Sequence, residues 1–247
     1  MMPELKNSPG DAPAPSSIPA PWWIRGVLVV VGLGLWFSTQ ALLGSRPFDA
    51  GTAGEVLLSG DRLLQWTAPW HAWLETHTAA AHLLLIVSSA IINLLALFLL
   101  GWAIFGPSVR PFLGLLILFA LRQGCQALSQ LPAPPGMIWE QPSLGGWDVP
   151  GLLVTYGVAT DFFFSGHTAI AVYGAVEVAR LGRARWIVAA WIIALFQVAA
   201  VIALRAHWTM DVFGGAVTAL LIAQVAAWLA PSVDRRLAAF GGVDRRH

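Results

Sequence analysis

An all-α, polytopic membrane protein is the fold class this sequence predicts, and three observations predict it. Of 247 residues, 57% are hydrophobic and only 11% are charged, where a soluble domain carries about 25% charged residues. The apolar residues gather in runs of about 20, the length that crosses a bilayer as a helix. Tryptophan is abundant, at 13 residues, which suits a chain with two membrane–water interfaces.

The elements follow in order. Residues 1–21 are rich in Pro, Ala and Ser; they lack the apolar density for a core and read as a disordered cytoplasmic tail. The first apolar run comes too late for a signal peptide and reads as a retained helix. Six spans are expected, at residues 24–43, 82–104, 111–131, 166–181, 186–204 and 208–229. Between the first two, residues 52–77 mix Leu57, Leu63, Trp66 and Trp70 with charges, the pattern of an interfacial amphipathic helix. Residues 131–165 form a Pro- and Gly-rich loop too long for a plain connector. The spans and their joining loops make one membrane domain over residues 22–232, with residues 233–247 a second cytoplasmic tail.

Basic residues set the orientation. With the N-terminus inside, only Arg46, Arg62, Arg122 and Arg205 of the 14 Lys and Arg fall outside. The Arg180, Arg183 and Arg185 cluster occupies a short inner loop, where the rule is strongest. Both termini are expected in the cytoplasm, with the protein in the cell membrane. A net charge of +1 gives no sign of a nucleic-acid partner. The single cysteine, Cys125, permits no intrachain disulfide and no Cys-based metal site.

With that topology, two polar stretches reach the same outer interface. One is Asp161-Phe162-Phe163-Phe164-Ser165-Gly166-His167-Thr168; the other is Arg205-Ala206-His207-Trp208-Thr209-Met210-Asp211-Val212. Arg122 closes the third span at that interface. Ionisable groups at a membrane boundary are costly and are functional candidates by default. Ser165 is a good N-cap, Gly166 lets a ligand approach the backbone, and the free N–H groups of a helix start attract phosphate. His167, at the rim, is suited to proton transfer with a bridging oxygen. His207 and Asp211 are spaced for one helical face. A carboxylate taking the Nδ1 proton leaves Nε2 free to attack phosphorus and form a phosphohistidine.

Arg122 and Arg205 are candidates to neutralise phosphate oxygens, although Arg205 points inward only if the helix breaks before His207. Asp161 is placed either to orient His167 or to accept a proton from an attacking alcohol. Of the loop carboxylates, Glu140 is a better candidate than Asp148, and both read first as solvated. His82, Ser88, Ser89 and Asn93 read as interhelical hydrogen-bond partners, while His71 and His77 need no catalytic role. No third His or Cys stands in a matching motif, so neither a metal nor another cofactor is expected.

These stretches resemble the type 2 phosphatidic acid phosphatase (PAP2) superfamily, and within it the sphingomyelin synthase branch. Asp161 with Ser165–Thr168 matches that branch's Gly-Asp, three residues, Ser-Gly-His-Thr pattern, with Thr160 in place of Gly. His207, Thr209, Asp211 and Val212 match its His-Tyr-Thr, one residue, Asp-Val pattern, with Trp208 in place of Tyr. Arg122 and Leu131-Pro132-Ala133-Pro134 look like its Arg and Leu-Pro-x-Pro run, and Pro47 with Asp49 is faintly similar to its Pro-Leu-Pro-Asp motif. The Lys of ordinary superfamily phosphatases is replaced by Thr39 before Arg46-Pro47 and by Ala103 before Arg110-Pro111.

The resemblance implies a six-span bundle of PAP2 type with its site on the extracytoplasmic side. It implies metal-free transfer of a phospho-headgroup from a glycerophospholipid donor to a lipid alcohol acceptor, ceramide or diacylglycerol. By match, His207 is the nucleophile, Asp211 its orienter and His167 the acid and base. Two rivals remain: a phospholipase C-like hydrolase or lipid phosphate phosphatase using the same residues, and a membrane scaffold or lipid transporter. Polar groups at one face, rather than in paired broken spans at the midplane, weigh against transport.

Overall fold

The computed structural model describes residues 19–45, 53–129, 131–140, 143–144, 147–148, 154 and 163–241. Their regular structure is helical apart from an antiparallel ladder of two residues per strand, β1 (Ser143–Leu144) with β2 (Trp147–Asp148). Among the described residues, five helices are long and apolar enough to cross a membrane: α1 (Trp22–Gly44), α5 (Thr78–Phe105), α6 (Arg110–Leu128), α8 (Ala184–Ala203) and α9 (Thr209–Phe240).

The expected fourth span is α7 (Gly166–Ala179), with 14 residues. At about 1.5 Å per residue it extends about 21 Å, short of a hydrocarbon core of about 30 Å. It is the buried centre of the bundle, packed by α5, α6, α8 and α9. Gly114 of α6 makes room for the Tyr173 ring, whose hydroxyl donates to the Arg110 carbonyl at 3.0 Å. Ser88 of α5 and Gln197 of α8 bond each other at 2.6 and 3.0 Å, as expected for apolar helices joined by buried polar side chains.

The expected amphipathic helix over residues 52–77 is broken into three, α2 (Ala53–Gly60), α3 (Arg62–Trp66) and α4 (Ala68–Thr76). Asp61 causes the first break, since its side chain caps α3 by accepting from the Leu64 N–H at 3.2 Å. Pro69 restarts the chain near the beginning of α4.

The boundary expected at residue 232 falls inside α9, which continues through Pro231 to Phe240. Asp234 holds this extension to the bundle, accepting from Ser108 Oγ at 2.6 Å and from the Val109 N–H at 3.0 Å. At the same end, Glu177 of α7 pairs with Arg110 at 2.9 Å and Arg180 at 3.4 Å. Arg25 of α1 donates to the carbonyls of Ile104 and Gly106. This end is therefore cross-tied by charge, while the opposite end carries the histidines.

Candidate active site

The two histidine stretches are joined by backbone. The Ser165 N–H donates to the Asp211 carbonyl at 3.0 Å, fastening the start of α7 to the first turn of α9. Gly215, one turn beyond Asp211 in α9, allows this approach. A Cβ there would lie 2.6 Å from the Ser165 carbonyl oxygen and 3.5 Å from the Ala169 nitrogen. Ser165 caps α7, its hydroxyl accepting from the Thr168 N–H at 3.4 Å. His167 thus occupies the first turn of α7, buried, with its Nε2 lacking a hydrogen-bond partner among the described residues. Trp139 stands edge-on to its ring, 5.1 Å between centroids. Among the described residues, His207 and Arg122 are the ionisable neighbours of His167.

His207 and Asp211 meet, but not along one helical face. His207 lies in the α8–α9 loop, and α9 begins at Thr209. Asp211, in the first turn of α9, accepts the Trp208 N–H at 3.1 Å on Oδ2. The same oxygen lies 3.7 Å from His207 Nδ1, beyond a formed hydrogen bond but within reach of one by a small ring movement. Capping geometry, rather than helical spacing, brings the pair together, and Nδ1 facing the carboxylate turns Nε2 away from it.

The loop bearing His207 is braced by residues 131–140. Prolines there offer carbonyls without competing N–H groups. Trp208 Nε1 donates to Pro132 O at 2.8 Å, Arg205 to Pro135 O at 2.9 Å, and the Ile138 N–H returns to Leu204 O at 2.9 Å. The helix does break before His207, and Arg205 takes φ 50°. Its guanidinium nevertheless turns to the brace, near Gly136, where a Cβ would also touch Glu75 and His71. His71, expected to need no catalytic role, is buried and bonds the Ala203 carbonyl at 2.9 Å. Arg122 is directed at the α7 start instead, donating Nε to Phe164 O at 2.8 Å and packing against Gly166.

Asp161 lies outside the described residues, as do Pro47 and Asp49. Sequence reasoning missed Asp61. Its Oδ2 accepts the Thr209 N–H at 2.8 Å and its Oδ1 the Thr209 hydroxyl at 2.6 Å, so one carboxylate caps α3 and clasps the start of α9. The Gly60-Asp61 step before Leu63 and Leu64 carried the capping signal. Its second partner, 148 residues away, had none. A cavity of about 660 Å³ opens beside this clasp, bordered by Asp61, Asp211, Leu63, Trp66, Phe163 and Met210 among others.

Together these features define a histidine–carboxylate centre at one end of a membrane helix bundle, beside a cavity with mostly apolar walls. The family model AtPDCT1/2 matches residues 61–228, a stretch containing the centre, its clasp and its brace. The chain belongs to that family, one of lipid headgroup transferases. No curated protein and no solved structure matches the chain.

Proposed function

We propose that this protein exchanges phosphocholine between phosphatidylcholine and diacylglycerol in the membrane, through a phosphohistidine on His207. Membership of a family named for phosphatidylcholine:diacylglycerol cholinephosphotransferases supports the headgroup and the acceptor. The observation that carries the chemistry is the junction of His167 and His207 through the Ser165–Asp211 backbone bond. His207 Nε2 attacks phosphorus while Asp211 holds the Nδ1 proton. His167 protonates the departing diacylglycerol oxygen, then takes the proton of the incoming hydroxyl as that oxygen attacks phosphorus and the P–N bond breaks. Arg122 and the N–H groups at the start of α7 receive the phosphate oxygens.

This assignment of roles is the one implied by the resemblance to the sphingomyelin synthase branch, and it goes with a site facing the extracytoplasmic side. Burial favours a lipid alcohol over water as acceptor. His167 is 8% exposed, His207 6% and Asp211 1%, and a dry site suppresses hydrolysis of a reactive intermediate.

The test uses the purified full chain in lipid nanodiscs, with phosphatidylcholine labelled in its headgroup and diacylglycerol labelled in its acyl chains. Mass spectrometry is expected to find doubly labelled phosphatidylcholine, lost in His167→Ala and His207→Ala. Free phosphocholine as the main product would make the protein a hydrolase, and transfer that persists in His207→Ala would overturn the mechanism.

A further inference from the structure

The cavity beside the Asp61 clasp has the composition of a lipid seat. At about 660 Å³ it is within the range of sites that enclose small-molecule ligands. Its rim includes Leu57, Trp66 and Met210, all exposed. In a bilayer such a rim opens onto acyl chains, which selects a membrane lipid over a water-soluble ligand. Asp211, which is buried, also lines it, so the cavity reaches the carboxylate that faces His207.

Charge decides which portion of a lipid enters. The ionisable residues among its described lining are Asp61, Asp211 and Arg62. Arg62 is turned toward the Gln65 side chain, 3.4 Å away. Arg122 lies instead against Gly166 at the α7 start. Two carboxylates repel a phosphate, whereas a glycerol hydroxyl or ester faces no such penalty. The phosphate therefore belongs at Arg122 and α7, and the neutral glycerolipid body belongs in the cavity.

We propose that this cavity is a single diacylglycerol site used twice per catalytic cycle, first by the diacylglycerol portion of the donor phospholipid and then by the acceptor. The proposal rests on the headgroup-transfer reading. In the first half the P–O bond to diacylglycerol breaks as the bond from His207 Nε2 to phosphorus forms, and His167 gives its proton to the departing oxygen. The second half is the same step reversed with another diacylglycerol. Leaving and entering oxygens then occupy one position, by microscopic reversibility, and a second lipid seat is unnecessary.

Gly60 provides the test. It lines the cavity, its φ is not in the left-handed region, and a Cβ there meets nothing within 4 Å. Gly60→Phe therefore fills the cavity without straining the backbone. Gly34→Leu is the control for added bulk, since Gly34 is exposed on α1, is equally open and does not line the cavity. In nanodisc transfer assays, Gly60→Phe should raise KM for phosphatidylcholine and for diacylglycerol by a common factor of roughly tenfold. That is the expected loss from displacing about two buried methylenes. Gly34→Leu should change neither. Diacylglycerol should also inhibit competitively against phosphatidylcholine.

A change confined to one lipid, or no change, would overturn the single-site proposal while leaving headgroup transfer standing. If the wild-type chain transfers no headgroup, the functional reading fails, yet photolabelling with a photoreactive diacylglycerol still decides the cavity. Labels on Leu63 and Met210 that are removed both by excess phosphatidylcholine and by Gly60→Phe would uphold the shared seat. Labels elsewhere, or labels that phosphatidylcholine does not displace, would overturn it.

Discussion

Replacing Gly215 by alanine tests whether the close approach of α7 and α9 sets the catalytic geometry. A Cβ at this position would lie 2.6 Å from the Ser165 carbonyl oxygen, and ordinary contact begins near 3.4 Å. The opposing atom is backbone and cannot swing aside, so the two helices must part by about 0.8 Å. The displacement falls on the Ser165–Asp211 bond at 3.0 Å, and so on the spacing between the turn bearing His167 and the carboxylate facing His207. A misplacement of about 1 Å can cost about 10²-fold in rate, so kcat for headgroup transfer should fall between about 10-fold and 100-fold. Overpacking costs about 1–3 kcal/mol, offset by roughly 1 kcal/mol from the better helix propensity of alanine, so the folded bundle should survive.

Gly214→Ala is the internal control, because a Cβ there would sit 3.5 Å from the Phe164 side chain, an ordinary contact. Initial rates of labelled phosphocholine transfer in nanodiscs, with thermal unfolding followed in parallel, separate the two effects. Wild-type kcat in Gly215→Ala, or equal losses in both variants, would refute the geometric argument.

Asp61→Asn keeps an acceptor but removes the charge shared among Leu64, Thr209 N–H and Thr209 hydroxyl. It should destabilise the protein by about 1–3 kcal/mol, the worth of bonds to a charged group, and lower kcat by loosening the turn that carries Asp211. Thermal unfolding and transfer rates measure the two. Arg122→Gln and Arg205→Gln should differ in kind. Loss of Arg122, which lies at the α7 start, should cut kcat by about 10²-fold or more as a phosphate ligand. Loss of Arg205, which braces Pro135, should lower thermal stability by about 1–3 kcal/mol while leaving KM for phosphatidylcholine within about twofold. A loss of kcat in Arg205→Gln as large as that in Arg122→Gln would return Arg205 to the phosphate.

Much of the membrane architecture was legible because hydrophobic runs report span length directly. The starts of α1, α5, α6 and α8 fall within a few residues of their expected places. The fourth span begins where expected, at Gly166, but its burial was not legible. An apolar segment buried in a bundle and one facing lipid read alike, and only packing reveals that α7 is the short central helix. The extension of α9 past Pro231 was hidden by a residue that ordinarily interrupts helices.

The meeting of His167, His207 and Asp211 at one end of the bundle was legible from residue type and topology. Their arrangement was not. The i, i+4 spacing of His207 and Asp211 suggested one helical face, whereas a loop followed by a first-turn carboxylate achieves the contact. A break before His207 was the condition for Arg205 to point inward; the break is there, but the side chain turns to a carbonyl 70 residues away. Asp61 announced itself only as a cap, since its contact with Thr209 exists only in the folded bundle.

The central claim is tested most directly by trapping the intermediate. The full chain in nanodiscs is mixed with headgroup-labelled phosphatidylcholine without added diacylglycerol, quenched in alkali, digested and mapped by mass spectrometry. The account predicts a phosphocholine adduct on His207, dispersed by added diacylglycerol and absent from His207→Ala. Transfer proceeding at the wild-type rate with no adduct, or with the adduct on His167, would contradict it.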